Sequence, residues 1–109
     1  MESPILRDMR SIGWCAEVVA ARARARAGEQ APGEESLRRI LKDCDDPDAR
    51  ALGQYCLGRT LMEAGKAEEG PAVLREALSS LADASARAAG APRPWLDWLR
   101  EDIKQALAG

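Results

Sequence analysis

The sequence predicts an all-α domain of about five helices arranged as antiparallel hairpins, and three observations carry that expectation. Hydrophobic residues make up 46% of the 109 while aromatics supply 4% and Phe is absent, so the apolar content is mostly Ala and Leu. These residues favour helix over strand. Apolar positions recur at steps of three and four, the period of a helix face, and no segment reads as a credible strand. Gly and Pro fall between these segments, where helices stop and start. The length suits one domain spanning residues 1–109, since compact domains run to roughly 100–150 residues.

The first helix starts at Ser3-Pro4, a capping hydroxyl followed by a residue with no amide to lose in the first turn. Ile5, Met9, Ile12, Ala16, Val19, Ala20, Ala23 and Ala27 form its apolar stripe, and Gly28 ends it. Arg22, Arg24 and Arg26 are spread about the axis and read as a solvated, dipole-favoured helix end rather than an anion site. Residues 28–33 read as a loop. A short amphipathic helix carrying Leu37, Ile40, Leu41 and Cys44 follows and is stopped by Asp45-Asp46-Pro47-Asp48. That acidic run lacks the glycine and the twelfth-position glutamate of a calcium loop, and Asp48 is expected to cap the next helix. The third helix, about 49–64, carries Leu52, Tyr55, Leu57, Leu61 and Met62 and ends at Gly65. The fourth starts near Gly70-Pro71 and runs to about Gly90, and Ala91-Pro92-Arg93-Pro94 breaks the chain. The last helix, about 94–108, sets Trp95, Trp98, Leu99, Ile103, Ala106 and Leu107 on one side.

Composition also excludes function classes. Without His there is no His-based triad, His-ligated zinc or imidazole proton shuttle. No cofactor or metal is expected, and no catalysis, because the thiols and serines lack a base partner. A net charge of −2 and a pI near 5.2 are the opposite of the basic field that nucleic acids select. Cys15, Cys44 and Cys56 are an odd number at spacings that fit neither a disulfide framework nor a metal knuckle, so buried free thiols are expected. The opening Met1-Glu2-Ser3-Pro4 has no signal-like pattern, and no apolar run approaches the roughly 18 residues of a membrane span. The expected location is cytoplasmic, with no membrane partner.

Residues 51–82 resemble one tetratricopeptide repeat. Leu57-Gly58 stands where that family has its Leu-Gly pair, Gly65 at the inter-helix turn, Leu74 at the large apolar position of the second helix and Ala77-Leu78 at its Ala-Leu pair. Small Gly58 and Ala77 let two antiparallel helices approach while the large residues fill the gap. A shift of 34 residues, the family period, sets Glu34-Glu35 before Leu37, Ile40 and Leu41 much as Glu68-Glu69 precede Val73, Leu74 and Leu78. The first helix lacks the Leu-Gly pair at that shift. The resemblance thus implies a degenerate hairpin, a fair repeat and a capping helix: a short TPR-like array.

The same resemblance implies a non-catalytic module, an adaptor or scaffold, that binds a peptide or helical segment of another protein. Its groove-facing positions transfer to Leu52, Tyr55, Arg59, Met62 and Glu63. In so short a chain this groove is either open or filled by the chain's own first or last helix. Trp95 and Trp98 are either cap residues, expected to be largely shielded, or an exposed interface pair. Two alternatives stand beside this reading: a small cytosolic chaperone similar to those of bacterial secretion systems, and a self-associating helical protein, since a homodimer would cover an open face.

Overall fold

The computed structural model describes the backbone over residues 4–88 and 94–108, and side chains over 9–86 and 94–108. Ser3, Gly90 and residues 91–93, which enter the expectations above, lie outside those ranges, and Ile5 lies outside the side-chain range. Five helices make up the described chain: α1 (Pro4–Arg26), α2 (Gln30–Asp43), α3 (Pro47–Glu63), α4 (Glu69–Ala88) and α5 (Pro94–Ala108). None of them is long and apolar enough to cross a membrane.

Helices α1 and α2 form one hairpin and α3 and α4 a second, stacked through α1 and α2 against α3. Helix α5 packs on α4 and, more lightly, on α3. Ser11 of α1 donates to Asp46 Oδ2 at the start of α3 at 2.9 Å, and Arg22 reaches Thr60 and Glu63 at its end, so these two helices run in the same direction. Tyr55 of α3 meets Asp102 and Trp98 of α5, which aligns the third member of the row. One apolar cluster joins α1, α2 and α3 through Val18, Ala21, Leu37, Cys56, Leu57 and Leu61. A second joins α3, α4 and α5 through Ala51, Leu74, Leu81, Leu96, Leu99 and Ile103. Helix α3 belongs to both, which is why its sequence is apolar nearly all round.

Three local expectations are corrected. Residues 28–33 are not a loop, because α2 already starts at Gln30. Pro32 sits in the first turn, where no helical amide is needed. Gly33 is buried against α1, and a Cβ there would stand 2.6 Å from Ala25 Cβ and 2.9 Å from the Ala21 carbonyl oxygen. Its role is close packing of two helices. The cap of α3 is Asp46, whose Oδ2 accepts from the Ala49 amide at 2.9 Å, with Pro47 first in the helix and Asp48 within its first turn. The apolar stripe read along α1 is not its core face. Val18, Ala21 and Ala25 are the buried positions, while Met9, Ile12, Ala16, Val19, Ala20, Ala23 and Ala27 face outward.

The two hairpins also repeat at 37 residues rather than 34. Gly28 and Gly65, both with positive φ (104° and 79°), end α1 and α3. Gly33 and Gly70 lie against the preceding helix, where an added Cβ would meet Ala25 and Met62, themselves 37 apart. Leu37 and Leu74 are both fully buried. In sequence the shared pattern is Gly-x4-Gly-x3-Leu-Arg-x2-Leu, starting at Gly28 and Gly65. Only glycine turns the chain at a positive φ without strain and lets backbones approach this closely, so the two kinds of position repeat together. Within the second hairpin Gly58 lies against Leu74 and the Gly70 carbonyl, as the proposed close approach requires.

Candidate functional site

An open face centred on α1 is bounded by the start of α3 at Asp48 and the start of α5 at Trp95. On α1, Ile12, Ala16, Val19 and Ala23 fall within about 60° of one another at the helical period. On α3, Asp48, Leu52, Tyr55 and Arg59 share one face at the same spacing, and the 37-residue repeat pairs them with Ser11, Cys15, Val18 and Arg22 of α1. Helix α5 adds Trp95. Ile12 is 69% exposed, Val19 56% and Trp95 38%, an unusual grouping of large apolar side chains on one face of a small domain. Together with Cys15 and Asp48 the α1 residues and Trp95 bound an open, mainly apolar groove of about 680 Å³. A second, smaller cleft of about 380 Å³ lies between α1 and α2 over Trp14. It is edged by Arg24 and Arg39, whose ion pairs to Glu29 and Glu35 stay on the surface.

The five groove positions transferred from the repeat take different places. Leu52 is half-buried against the first cluster, and Met62 is half-buried and covers Gly70 of α4. Tyr55 donates its hydroxyl to Asp102 and meets the Trp98 ring edge-on at 6.5 Å between centroids. Burial and then this carboxylate push its phenol up to about 12. Its neutral form therefore acts as a clamp between α3 and α5. Glu63 is gripped by both guanidinium nitrogens of Arg22 at 2.6 Å each, a fork geometry that also bonds Thr60. The Arg22 hydrogen bond, joined by the fields of Arg22, Arg26 and Arg59, holds the Glu63 carboxyl below its usual range. Arg59 is half-buried, and its charge acts on Tyr55 and Glu63. The structure thus brings Tyr55, Arg59 and Glu63 onto one face with α1 and α5 beside them, and turns Met62 toward α4.

The tryptophans do not cap. The face that α5 buries is Leu96, Leu99 and Ile103, so both tryptophans stand outside it: Trp95 lines the open groove and Trp98 lies exposed against Tyr55. Leu96 was missing from the apolar side read in sequence, because two tryptophans one turn apart outweigh a single leucine in any reading by size. Ile12 and Val19 were missed as site residues for the opposite reason. Their spacing is that of a core face, and only the position of the neighbouring helices reveals that nothing covers them.

The thiols have no activating surroundings. Burial raises the Cys56 thiol to about 11 and leads the upward shift of Cys15 and Cys44, so the protonated form dominates at neutral pH. Compared with known proteins, the chain matches no family model, no curated protein and no solved structure.

Proposed function

We propose that this chain is a non-catalytic protein–protein interaction module of TPR-like kind, which accepts a helical segment of a partner protein in the groove along α1, α3 and α5. The observation that carries the reading is the apolar concavity in which Ile12, Val19 and Trp95 stand exposed together. Burying such side chains against a partner is favourable by roughly 25 cal/mol per Å² of apolar surface, and large aromatic anchors at a concave face are typical of helix-in-groove recognition. The stacked hairpins, the small residues at their contacts and the parallel row of first helices fit the repeat resemblance. Relative to that resemblance the centre of the groove moves from α3 toward α1.

The test is capture of partners from the native host by wild type and by Val19→Asp. The account expects the partners recovered by wild type to be lost from Val19→Asp. Recovery of the same partners by both would remove the α1 face from the site. The double variant Tyr55→Ala/Arg59→Ala probes the α3 side of the same groove and is expected to weaken, rather than abolish, the capture.

A further inference from the structure

The internal repeat shows what kind of surface the open stripe of α1 is. Shifted by 37 residues, Ile12, Ala16, Val19 and Ala23 correspond to Ala49, Gly53, Cys56 and Thr60 of α3, and all four of those are buried. The first hairpin covers them. A Cβ on Gly53 would meet Leu41 of α2 and Val18 of α1, Cys56 shares a cluster with Val18 and Leu37, and Thr60 accepts from Arg22. The positions that α3 gives to a neighbouring helix are thus exposed on α1, where no described helix takes that place. The other end of the array is closed. Helix α5, last in the row, carries Asp97, Arg100, Glu101 and Lys104 beside its buried residues, paired as Arg100–Asp97 at 3.3 Å and Lys104–Glu101 at 3.8 Å. Polar outer faces of this kind end helical arrays.

The stripe is also complementary to itself. Ala16 and Ala23 fall at one apolar position of a heptad, joined by Met9, while Ile12 and Val19 fall at the other, joined by Arg26. In a parallel pair each residue would meet its own copy, so Ala would face Ala across a gap and Ile would face Ile. In an antiparallel pair the two kinds of position face each other: Ile12 meets the partner's Ala23, Ala16 the partner's Val19, and Met9 the apolar stem of the partner's Arg26. Each of the Ala layers then holds one large and one small side chain, the arrangement that fills space. Gly13 and Ala20 beside the stripe are small enough to let the helices close up. Charge allows the pairing too, since Asp48 is the single charged residue lining the groove, so two copies meet with little like-charge repulsion.

We infer that the occupant of the groove is a second copy of this chain, packed α1 against α1 in antiparallel fashion about a two-fold axis between Ala16 and Val19. The inference rests on the proposed groove and names the partner that fills it. A two-fold contact closes on itself, which suits an array with one open end. From Met9 to Arg26 the contact runs for about 26 Å of helix and buries on the order of 400 Å² a side, the size of an exchanging dimer rather than a permanent one.

Sedimentation equilibrium at low-micromolar and at near-millimolar protein tests this. Wild type is expected to move from 11.8 kDa toward twice that mass and no further. Val19→Asp is expected to stay at the monomer mass at both concentrations, with an unchanged melting curve showing that the fold is intact. Ala23→Ile puts a large side chain opposite the partner's Ile12 and is expected to weaken the dimer about tenfold, and Ile12→Ala/Ala23→Ile, which returns one large and one small side chain to each layer, to restore it. Tighter association of Ala23→Ile would mean parallel helices and overturn the pairing. Growth beyond the dimer mass would mean head-to-tail stacking and overturn the two-fold axis, and a dimer retained by Val19→Asp would move the interface off this face. A wild type that stays monomeric throughout overturns the inference. The groove itself then stands if Val19→Asp still loses the partners captured from the native host, and falls if it keeps them.

Discussion

Helices α1 and α3 hold corresponding places in two successive hairpins, run side by side in the same direction and end in the same glycine turn, yet they bury their surfaces differently. Helix α3 is enclosed: α1 and α2 lie on one side of it, α4 and α5 on the other, and small residues such as Ala51, Gly53 and Gly58 line its contacts. Helix α1 has neighbours on one side only. It buries Val18, Ala21 and Ala25, and keeps its larger apolar stripe, with Ile12 and Val19, in the open. The hydrophobic effect counts area removed from water, so the same kind of side chain stabilises the fold on α3 and is available to a partner on α1. The comparison separates a residue's being apolar and regularly spaced from its being part of the core.

The largest expected contrast is at the enclosed side. Leu74, fully buried between α3, α4 and Gly58, leaves a cavity when truncated, and Leu74→Ala is expected to cost about 2–5 kcal/mol in a urea unfolding curve. Loss of less than about 1 kcal/mol would mean that α3 is not enclosed as described. Next comes the contact between the helices of the first hairpin. Gly33→Ala places a methyl 2.6 Å from Ala25 Cβ and 2.9 Å from the Ala25 Cα, atoms that no rotamer change can move. An overpacking cost of about 1–3 kcal/mol is expected from the same measurement. A neutral or stabilising result would show that α2 begins after residue 33, as a loop over 28–33 would have it.

The smallest effect is spectroscopic and concerns the docking of α5 on α3. Tyr55 is the single tyrosine of the chain, so the rise of tyrosinate absorbance near 295 nm reports this residue alone. Its midpoint is expected near 12 in the folded protein, against an ordinary value near 10. The folded value is the higher one, so Tyr55 contributes its stability fully below pH 10 and loses it as pH rises toward 12. The stability difference from Tyr55→Phe, about 1 kcal/mol at neutral pH for one such hydrogen bond, should close over that window. A midpoint of 10 in the native protein would detach Tyr55 from Asp102.

Much of this was legible in the residues because the signals are local. Proline at the start of α5, the Gly65 turn and the five helices follow from backbone chemistry that a short window contains, and the close approach of Gly58 and Leu74 follows from the repeat resemblance, whereas Pro47 reads in sequence only as part of the stop of α2. The Asp46 cap was displaced by two residues because Asp46 and Asp48 are equally good caps in sequence, and Pro47 as the first helical residue decides between them. The true period was hidden because acidic pairs and leucines align at 34, while the glycines that fix the geometry align at 37. The candidate site was the least legible part. Its α3 residues follow from the repeat, but the exposure of Ile12, Val19 and Trp98 depends on which helices pack beside them, a property of the whole arrangement that no periodicity encodes.

Val19→Asp tests most directly the proposal that the apolar face of α1 serves binding and not folding, when stability and partner capture are measured on the same sample. The expected result is a stability close to that of wild type, within about 0.5 kcal/mol as for other exposed positions, together with loss of the partners that wild type captures. A large loss of stability, or full retention of binding, would contradict it.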